Sequence, residues 1–378
     1  MQIYLLPLII LSILAFLEDS NKLDFVLKNK IFYLIIFTVF VVFIGFRDEI
    51  GCDWSGYAEH YRKLSSSPID NIISNRNAFI YNIGYEFSAK LSSYFFDFSG
   101  YIFLISFLFT IPLFYFCFKL KRTYLSLMIS YPYYILVIGM GPLRQSLAIS
   151  FLLLSILFTY QKKYKFYLIS IICSSIFHYS AIILNFLFFI FLNLKATKKS
   201  DKIFKLFFIL LIIILTLYNF QSIVNSFLIY LSEYKDIFNI SFLNRFSTNL
   251  YSGEIYAAKG VIFVWILNFI PSIIFLTNLN NFAFEKDVKK LLILFSLFVV
   301  ILLPVSLIYS IIGYRLLLYC FPSSILISTY LPDINLFGIK QKIVVNYIIL
   351  FAILSLFIWL KFAYHSYCWL PYKNLLFN

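Results

Sequence analysis

Apolar runs of near-membrane length recur along the whole chain, separated by short polar connections. A spanning helix needs roughly 20 apolar residues, with a range of about 17–25. On that measure, helices are expected at 2–17, 31–46, 100–118, 123–139, 143–160, 166–177, 178–194, 203–219, 261–277, 291–312, 314–331 and 343–361. The pattern predicts an all-α polytopic membrane protein of about twelve transmembrane helices. Residues 1–378 are expected to form a single integral membrane domain, with larger outer loops at 47–99 and 220–260 that contain interfacial helices. The first span has no basic residue ahead of it and no small-residue cleavage site after it, so an uncleaved helix is expected. Residues 166–194 are expected to cross twice, bending near Ser174–His178; one long tilted helix is the other reading, and it would invert every later loop. In the first outer loop Ile80, Ile83, Phe87 and Leu91 recur at helical spacing, with Glu86 and Lys90 opposite. That spacing predicts an amphipathic helix in the outer interface, acting as a lid or packing element.

Composition sharpens this picture. Hydrophobic residues make up 62% of the chain and charged residues 13%, with a mean hydropathy of +0.90. These values exclude a soluble globular enzyme, a disordered chain and a disulfide-stapled secreted domain. The net charge of +14 is informative only once it is placed. Nineteen of the 31 Lys and Arg lie in one set of alternate loops, among them Lys119, Lys121, Arg122, Lys162, Lys163, Lys286, Lys289, Lys340 and Lys342. Basic loops stay cytoplasmic, so this set faces the cytoplasm and both termini face outside. Most of the charge sets topology, and no nucleic-acid partner is expected.

The outer face carries the candidate chemistry. Six of the seven Arg fall there (Arg47, Arg62, Arg76, Arg144, Arg245 and Arg315), as do all three His (His60, His178 and His365). Lys serves for topology, whereas Arg suits bidentate recognition of phosphate or carboxylate. Arg144 and Gln145 follow Gly141-Pro142, and Pro142 reads as a helix start, which puts both in a first turn where free N–H groups favour an anion. Headgroup snorkelling is the plainer reading for Arg144. Arg315 follows Gly313-Tyr314 at a second expected helix start, with Tyr319 one turn on. His178 sits at an outer bend, where a neutral imidazole could serve as a general base or simply as a satisfied structural group. Asp53 could orient a sugar hydroxyl, act as a base or pair with Arg47. Tyr57 and Glu86 of the first loop, and Arg245 of the second, complete the candidate glycan and diphosphate contacts.

Other chemistries leave no trace. There is no Gly-x4-Gly-Lys-Ser/Thr loop, no Gly-x-Gly-x-x-Gly fingerprint, and no Asp-x-Asp or His-Glu-x-x-His pattern, so neither nucleotide, dinucleotide nor metal is expected. The five cysteines lack metal-type spacing. Cys52 and Cys368 both fall outside; the sequence gives no separation between them, so whether they pair stays open. Internal repeats and intramembrane acidic residues, the marks of many transporters, are missing.

The motifs together resemble the EpsG-like, Wzy-type polysaccharide polymerases of bacterial envelopes. The matching elements, in order, are Arg47-x3-Gly51-x-Asp53-x3-Tyr57, Arg144-Gln145-x2-Ala148, Phe177-His178-x-Ser180-Ala181, Arg315-x3-Tyr319 and Trp369-Leu370-Pro371-Tyr372-Lys373. Cys52 and Trp54 depart from the family pattern, and the second outer loop has no anchored match. The resemblance implies a multi-span fold similar to GT-C glycosyltransferases and O-antigen ligases. It implies block glycosyl transfer between undecaprenyl-diphosphate-linked oligosaccharide repeats on the outer leaflet of a bacterial inner membrane, with release of lipid diphosphate. It also implies no cofactor, and membrane lipids and a chain-length regulator as partners. The residues then expected to act are Arg144 and Arg315 on the diphosphate, supported by Arg47, with His178 or Asp53 as base. An O-antigen ligase or other lipid-dependent transferase is the nearest rival, and a glycan flippase is the rival from another class.

Overall fold

The computed structural model describes residues 1–20, 27, 29–68, 83–178, 180–181, 258–334 and 338–377. Predicted span 203–219, nearly all of span 178–194, the second outer loop as far as residue 257, and Arg76 and Arg245 lie outside the described residues.

The apolar runs fold as helices. These are α1 (Gln2–Asp19), α2 (Lys30–Gly45), α3 (Trp54–Ser66), α4 (Ile83–Ser92), α5 (Phe98–Lys119) and α6 (Thr123–Ile138). They continue as α7 (Leu143–Tyr160), α8 (Tyr164–Phe177), α9 (Val261–Thr277), α10 (Lys286–Ile308), α11 (Ser310–Leu318), α12 (Phe321–Tyr330) and α13 (Gln341–Phe362). No strand occurs among the described residues beyond one isolated bridge between Arg47 and Asn374. Ten of the twelve predicted spans coincide with described helices. Five of these helices (α1, α5, α7, α10 and α13) are long and apolar enough to cross a membrane, and a sixth span forms if α11 and α12 count together. The remaining apolar helices (α2, α6, α8 and α9) are shorter, at 10–17 residues. Twelve full-length spans are therefore not what the described residues contain.

Three local differences from the sequence pattern have physical causes. The predicted span 314–331 is broken: α11 and α12 meet at Tyr319-Cys320 with a bend of 51°. Pro322 near the start of α12 lacks an N–H, which suits a first helical turn and ends the preceding ladder. Arg315 consequently lies in the last turn of α11 rather than at a helix start, where the helix dipole favours the guanidinium but gives no help to a bound anion. The helix breaks where the bend was expected: α8 stops at Phe177, His178 is extended at φ −151°, and Ser180 and Ala181 are helical, while the second crossing lies outside the described residues.

The third difference is the orientation of α4. Its apolar residues Phe87 and Leu91 are exposed, while Glu86 and Lys90 are buried. In an interfacial setting apolar side chains can face lipid, and the charged side must then find partners inside. Lys90 Nζ donates to the Ser65 carbonyl at 2.9 Å and stands over the Tyr94 ring. Glu86 approaches His60 Nε2 at 3.9 Å.

Helix α7 is the central element. It packs against α5, α8, α10 and α12, and most of its residues are buried. Ser174 of α8 donates to the Ala148 carbonyl of α7 at 2.7 Å, which locks the two helices together. At the lysine-rich face, the one arginine assigned to the cytoplasm acts as a clamp. Arg122 reaches both carboxylate oxygens of Asp333 at 2.9 Å and Asp19 at 3.4 Å. Glu18 of α1 accepts the N–H groups of Tyr124 and Leu125 at 3.0 and 3.2 Å, satisfying donors in the first turn of α6.

At the opposite face the C-terminal tail is stitched to the segment after α2. The Asp48 N–H donates to the Lys373 carbonyl, the Leu375 N–H to that of Phe46, and the Gly51 N–H to that of Cys368. Cys52 and Cys368 form a disulfide, so the pairing left open by the sequence is made. Tyr372 donates to the Phe43 carbonyl, Trp369 to that of Leu136, and Tyr4 to that of Trp369. Both termini thus sit at the face that carries the outer arginines.

Candidate functional site

The site forms where five elements converge: the N-terminus of α7, the end of α8, the α11–α12 break, and the outer helices α3 and α4. Helix α7 begins after Pro142, and Arg144 and Gln145 occupy its first turn, as the Gly-Pro sequence predicts. The Arg144 guanidinium carbon lies 4.8 Å from the Tyr85 ring centroid and 5.9 Å from that of Tyr57. Its Nε has no hydrogen-bond partner among the described residues.

Gln145 is buried and turned away from solvent. Its Nε2 donates to the Arg315 backbone carbonyl at 2.7 Å. The residue therefore ties α7 to α11 and fixes the turn that carries Arg315. Arg315 itself is exposed.

His178 enters from the end of α8. Its Nδ1 lies 2.7 Å from Ser180 Oγ and 3.2 Å from the Tyr319 hydroxyl, and those two hydroxyls are 2.8 Å apart. The Ser180 backbone N–H also points at Nδ1, at 3.4 Å. A backbone N–H can only donate, so Nδ1 acts as an acceptor and the ring proton belongs on Nε2. Arg315 and Arg144 both act electrostatically on this ring.

Tyr57 projects from α3 into the same space. Its hydroxyl lies against the backbone N–H of Arg144. Burial, and then the nearby Asp53 carboxylate, push this phenol up to about 12, so it remains a proton donor at neutral pH. Asp53 is exposed at the head of α3 and makes no capping bond with its side chain. It acts electrostatically on Tyr57 and on Tyr314, whose hydroxyl accepts from Tyr133 at 3.1 Å.

The remaining candidates separate. Arg47 is almost wholly buried beside the tail, donating to the Ile44 carbonyl at 2.5 Å and to Ser106 Oγ at 3.0 Å. Its Nε and Nη2 have no hydrogen-bond partner among the described residues. Burial lowers its pKa to about 10, which leaves it charged at neutral pH. Arg47 lines a small crevice together with Trp54, Tyr57 and Leu143. Glu86 approaches His60, whose ring stacks on Tyr85. Arg245 lies outside the described residues. Among the described residues no three His, Cys, Asp or Glu side chains are grouped to hold a metal ion. Sequence reasoning singled out neither Tyr85 nor the Tyr133–Tyr314 pair. Tyr85 falls within the amphipathic run, where helical spacing marks it only as part of a face.

The order of these motifs along the chain can be set against known families. The EpsG family model matches residues 30–374, nearly the whole chain. The chain belongs to the EpsG family. This is a Wzy-like polymerase family, and membership points to a polysaccharide-polymerase, glycosyltransferase-like type of function. Comparison with curated proteins and with solved structures returned no match. In this EpsG-family chain three separate motifs meet at one place. Arg144-Gln145, His178-x-Ser180 and Arg315-x3-Tyr319 are joined by the bonds from Gln145 to Arg315 and from Tyr319 to Ser180. The other two motifs, Arg47–Tyr57 and the tail from Trp369, are joined to each other by backbone pairing and the disulfide.

Proposed function

We propose that this EpsG-family protein polymerises polysaccharide repeat units, using oligosaccharides carried on undecaprenyl diphosphate at the outer leaflet of a bacterial inner membrane. The carrying observation is the convergence of Arg144 and Arg315 on His178, each arginine held by a different element. A glycosyl diphosphate develops negative charge on its leaving oxygen as the anomeric bond stretches. Preorganised cations aimed at that oxygen stabilise the developing charge.

In this reading Arg144 and Arg315 take the diphosphate, and no nucleotide or resident metal is required. The acceptor sugar hydroxyl attacks the anomeric carbon of the donor glycan. A new C–O bond forms, the C–O bond to diphosphate breaks, and the lipid diphosphate leaves with its electron pair. The hydroxyl proton goes to Asp53, the exposed carboxylate facing this space. His178 serves as a neutral Nε2–H donor, because Nδ1 accepts from the Ser180 N–H. This assigns the base role to Asp53 rather than His178. Tyr57 donates from its phenol, and Tyr319 and Ser180 hold the imidazole plane. The lysine distribution and the disulfide both support an outward-facing site, since disulfides persist in oxidising compartments.

Complementation of a strain deleted for the gene tests this. The wild-type chain restores a ladder of long polymer. Arg144→Ala and Asp53→Asn at equal membrane levels leave single repeats attached to the lipid acceptor. Removing one such preorganised donor costs about 10²–10³-fold in turnover. A deletion strain with no repeat attached at all would indicate a ligase, and an unchanged ladder with Arg144→Ala would falsify the diphosphate role.

A further inference from the structure

Helix α4 stands closer to this chemistry than its place in a loop implies. Gly84 faces Ile176 of α8, two residues before His178. A Cβ built on Gly84 would lie 2.5 Å from Ile176 Cγ2 and 3.2 Å from its carbonyl oxygen. Only glycine admits that approach without a shift, and it brings the next residue, Tyr85, against Arg144.

The Tyr85 ring is fully buried and fixed on several sides. Tyr101 meets it edge-on at 5.7 Å, and His60 stacks on it at 6.1 Å. The Tyr101 hydroxyl also donates to the Tyr85 carbonyl at 3.3 Å, and it lies 3.1 Å from Ser88 Oγ. Lys90, one turn along, is bonded back to α3. This rigid ring presents its face to the Arg144 guanidinium at 4.8 Å. An aromatic face attracts a cation without using its N–H donors. The guanidinium edge therefore stays available to an anion while its plane is set.

We propose that Tyr85 is a positioning residue for Arg144, holding the guanidinium plane by its ring face so that the N–H edge meets the substrate diphosphate. The inference rests on the diphosphate-binding role assigned to Arg144. It turns α4 from a covering helix into the second support of the anion site, the first being the N-terminus of α7. The ring face matters and the phenol oxygen does not, so phenylalanine serves as well as tyrosine.

The test measures binding of undecaprenyl diphosphate to the full chain in nanodiscs, with thermal melting of each variant as a folding control. Tyr85→Leu weakens binding about 3- to 30-fold, the range expected for a desolvated cation–ring contact. Tyr85→Phe restores it to within about 2-fold, because the ring face that attracts the guanidinium is kept. Tyr85→Leu added to Arg144→Ala weakens binding no further, because the residue acts through the arginine. Equal weakening by Tyr85→Leu on both backgrounds, or none on either, overturns the inference while leaving the diphosphate role intact. Wild-type binding by Arg144→Ala overturns the diphosphate role and the inference with it. If Tyr85→Leu fails to fold, Tyr85→Met in the same cycle decides the matter.

Discussion

Arg144 and Arg315 are held by opposite means. Arg144 is fixed through its side chain, beside the Tyr57 and Tyr85 rings, on a helix start. Arg315 is fixed through its backbone, by the Gln145 amide. Gln145→Glu exchanges that donor for an acceptor facing a carbonyl. The expected cost is about 1–3 kcal/mol, read as a lower melting temperature, together with loss of long polymer. Gln145→Glu with unchanged polymer length would show that the Arg315 turn needs no such tie. Much of this site was legible in the sequence. Gly-Pro before Arg144 marks a helix start, whereas the helix start expected for Arg315 is not found: Arg315 is exposed in the last turn of α11 and Tyr319 is buried just beyond it. Illegible were the role of Gln145 and the whole contribution of Tyr85. Both act through residues far off in the chain, 170 positions away for Gln145, and no local periodicity records such a partner. Arg47 was legible as buried-type chemistry only in part: its charge was plain, its burial beside the tail was not.

At the scale of elements, the Arg47–Tyr57 motif gains its shape from the tail. Gly51 has φ +102°, and a Cβ there would lie 2.7 Å from the Met140 carbonyl oxygen. Gly51→Ala is therefore strained twice, by conformation and by contact, and displaces the loop that carries Asp53. A drop in melting temperature together with loss of activity is expected. Cys52 and Cys368 close this junction across 316 residues. Reduction, or Cys52→Ser with Cys368→Ser, lowers stability by at most about 5 kcal/mol. A maleimide mass tag on these two residues should require prior reduction. Lys373, which pairs with Glu49 in an exposed setting, is a useful contrast. Lys373→Ala should leave melting unchanged, since solvent screens such pairs.

The cytoplasmic clamp behaves differently. Burial raises the Asp333 carboxyl, but hydrogen bonds from Arg122 and Lys121 outweigh it and hold the group below its usual value. A depressed carboxylate stabilises the fold above its unfolded pKa, about 4, and that support is lost as pH falls through the folded value. Arg122→Leu should shrink this acid-sensitive component of melting, with Lys121 retaining the rest. Helix existence was readable from apolar length for the ten predicted spans that fall on described residues, because burial in lipid demands paired backbone groups. The angle of the α11–α12 break and the reversed face of α4 were not readable. Pro322 marks the place of the break but not its 51°, and lipid and protein are equally good hosts for Phe87 and Leu91.

For the whole molecule, the described residues place both termini, His178, Lys259 and the arginine cluster at one face. Lys259 stands over the Tyr364 ring 4.7 Å away, beside the tail. Arg122, Lys121, Lys162 and Lys340 fall at the other end of the same helices. Single cysteines at Lys259 and Lys340, in a chain lacking Cys117, Cys173 and Cys320, should label from opposite sides of intact cells, Lys259 from outside. The account requires this sidedness, because its lipid-linked substrates are proposed to lie in the outer leaflet. The most direct test of the central claim is reconstitution of the purified chain in liposomes with undecaprenyl-diphosphate-linked repeat units alone. A ladder of lengthening glycans that Arg144→Ala suppresses about 100-fold, with one lipid diphosphate released per repeat joined, is the predicted result. Substrate that stays a single repeat, or a ladder that Arg144→Ala leaves intact, would contradict it.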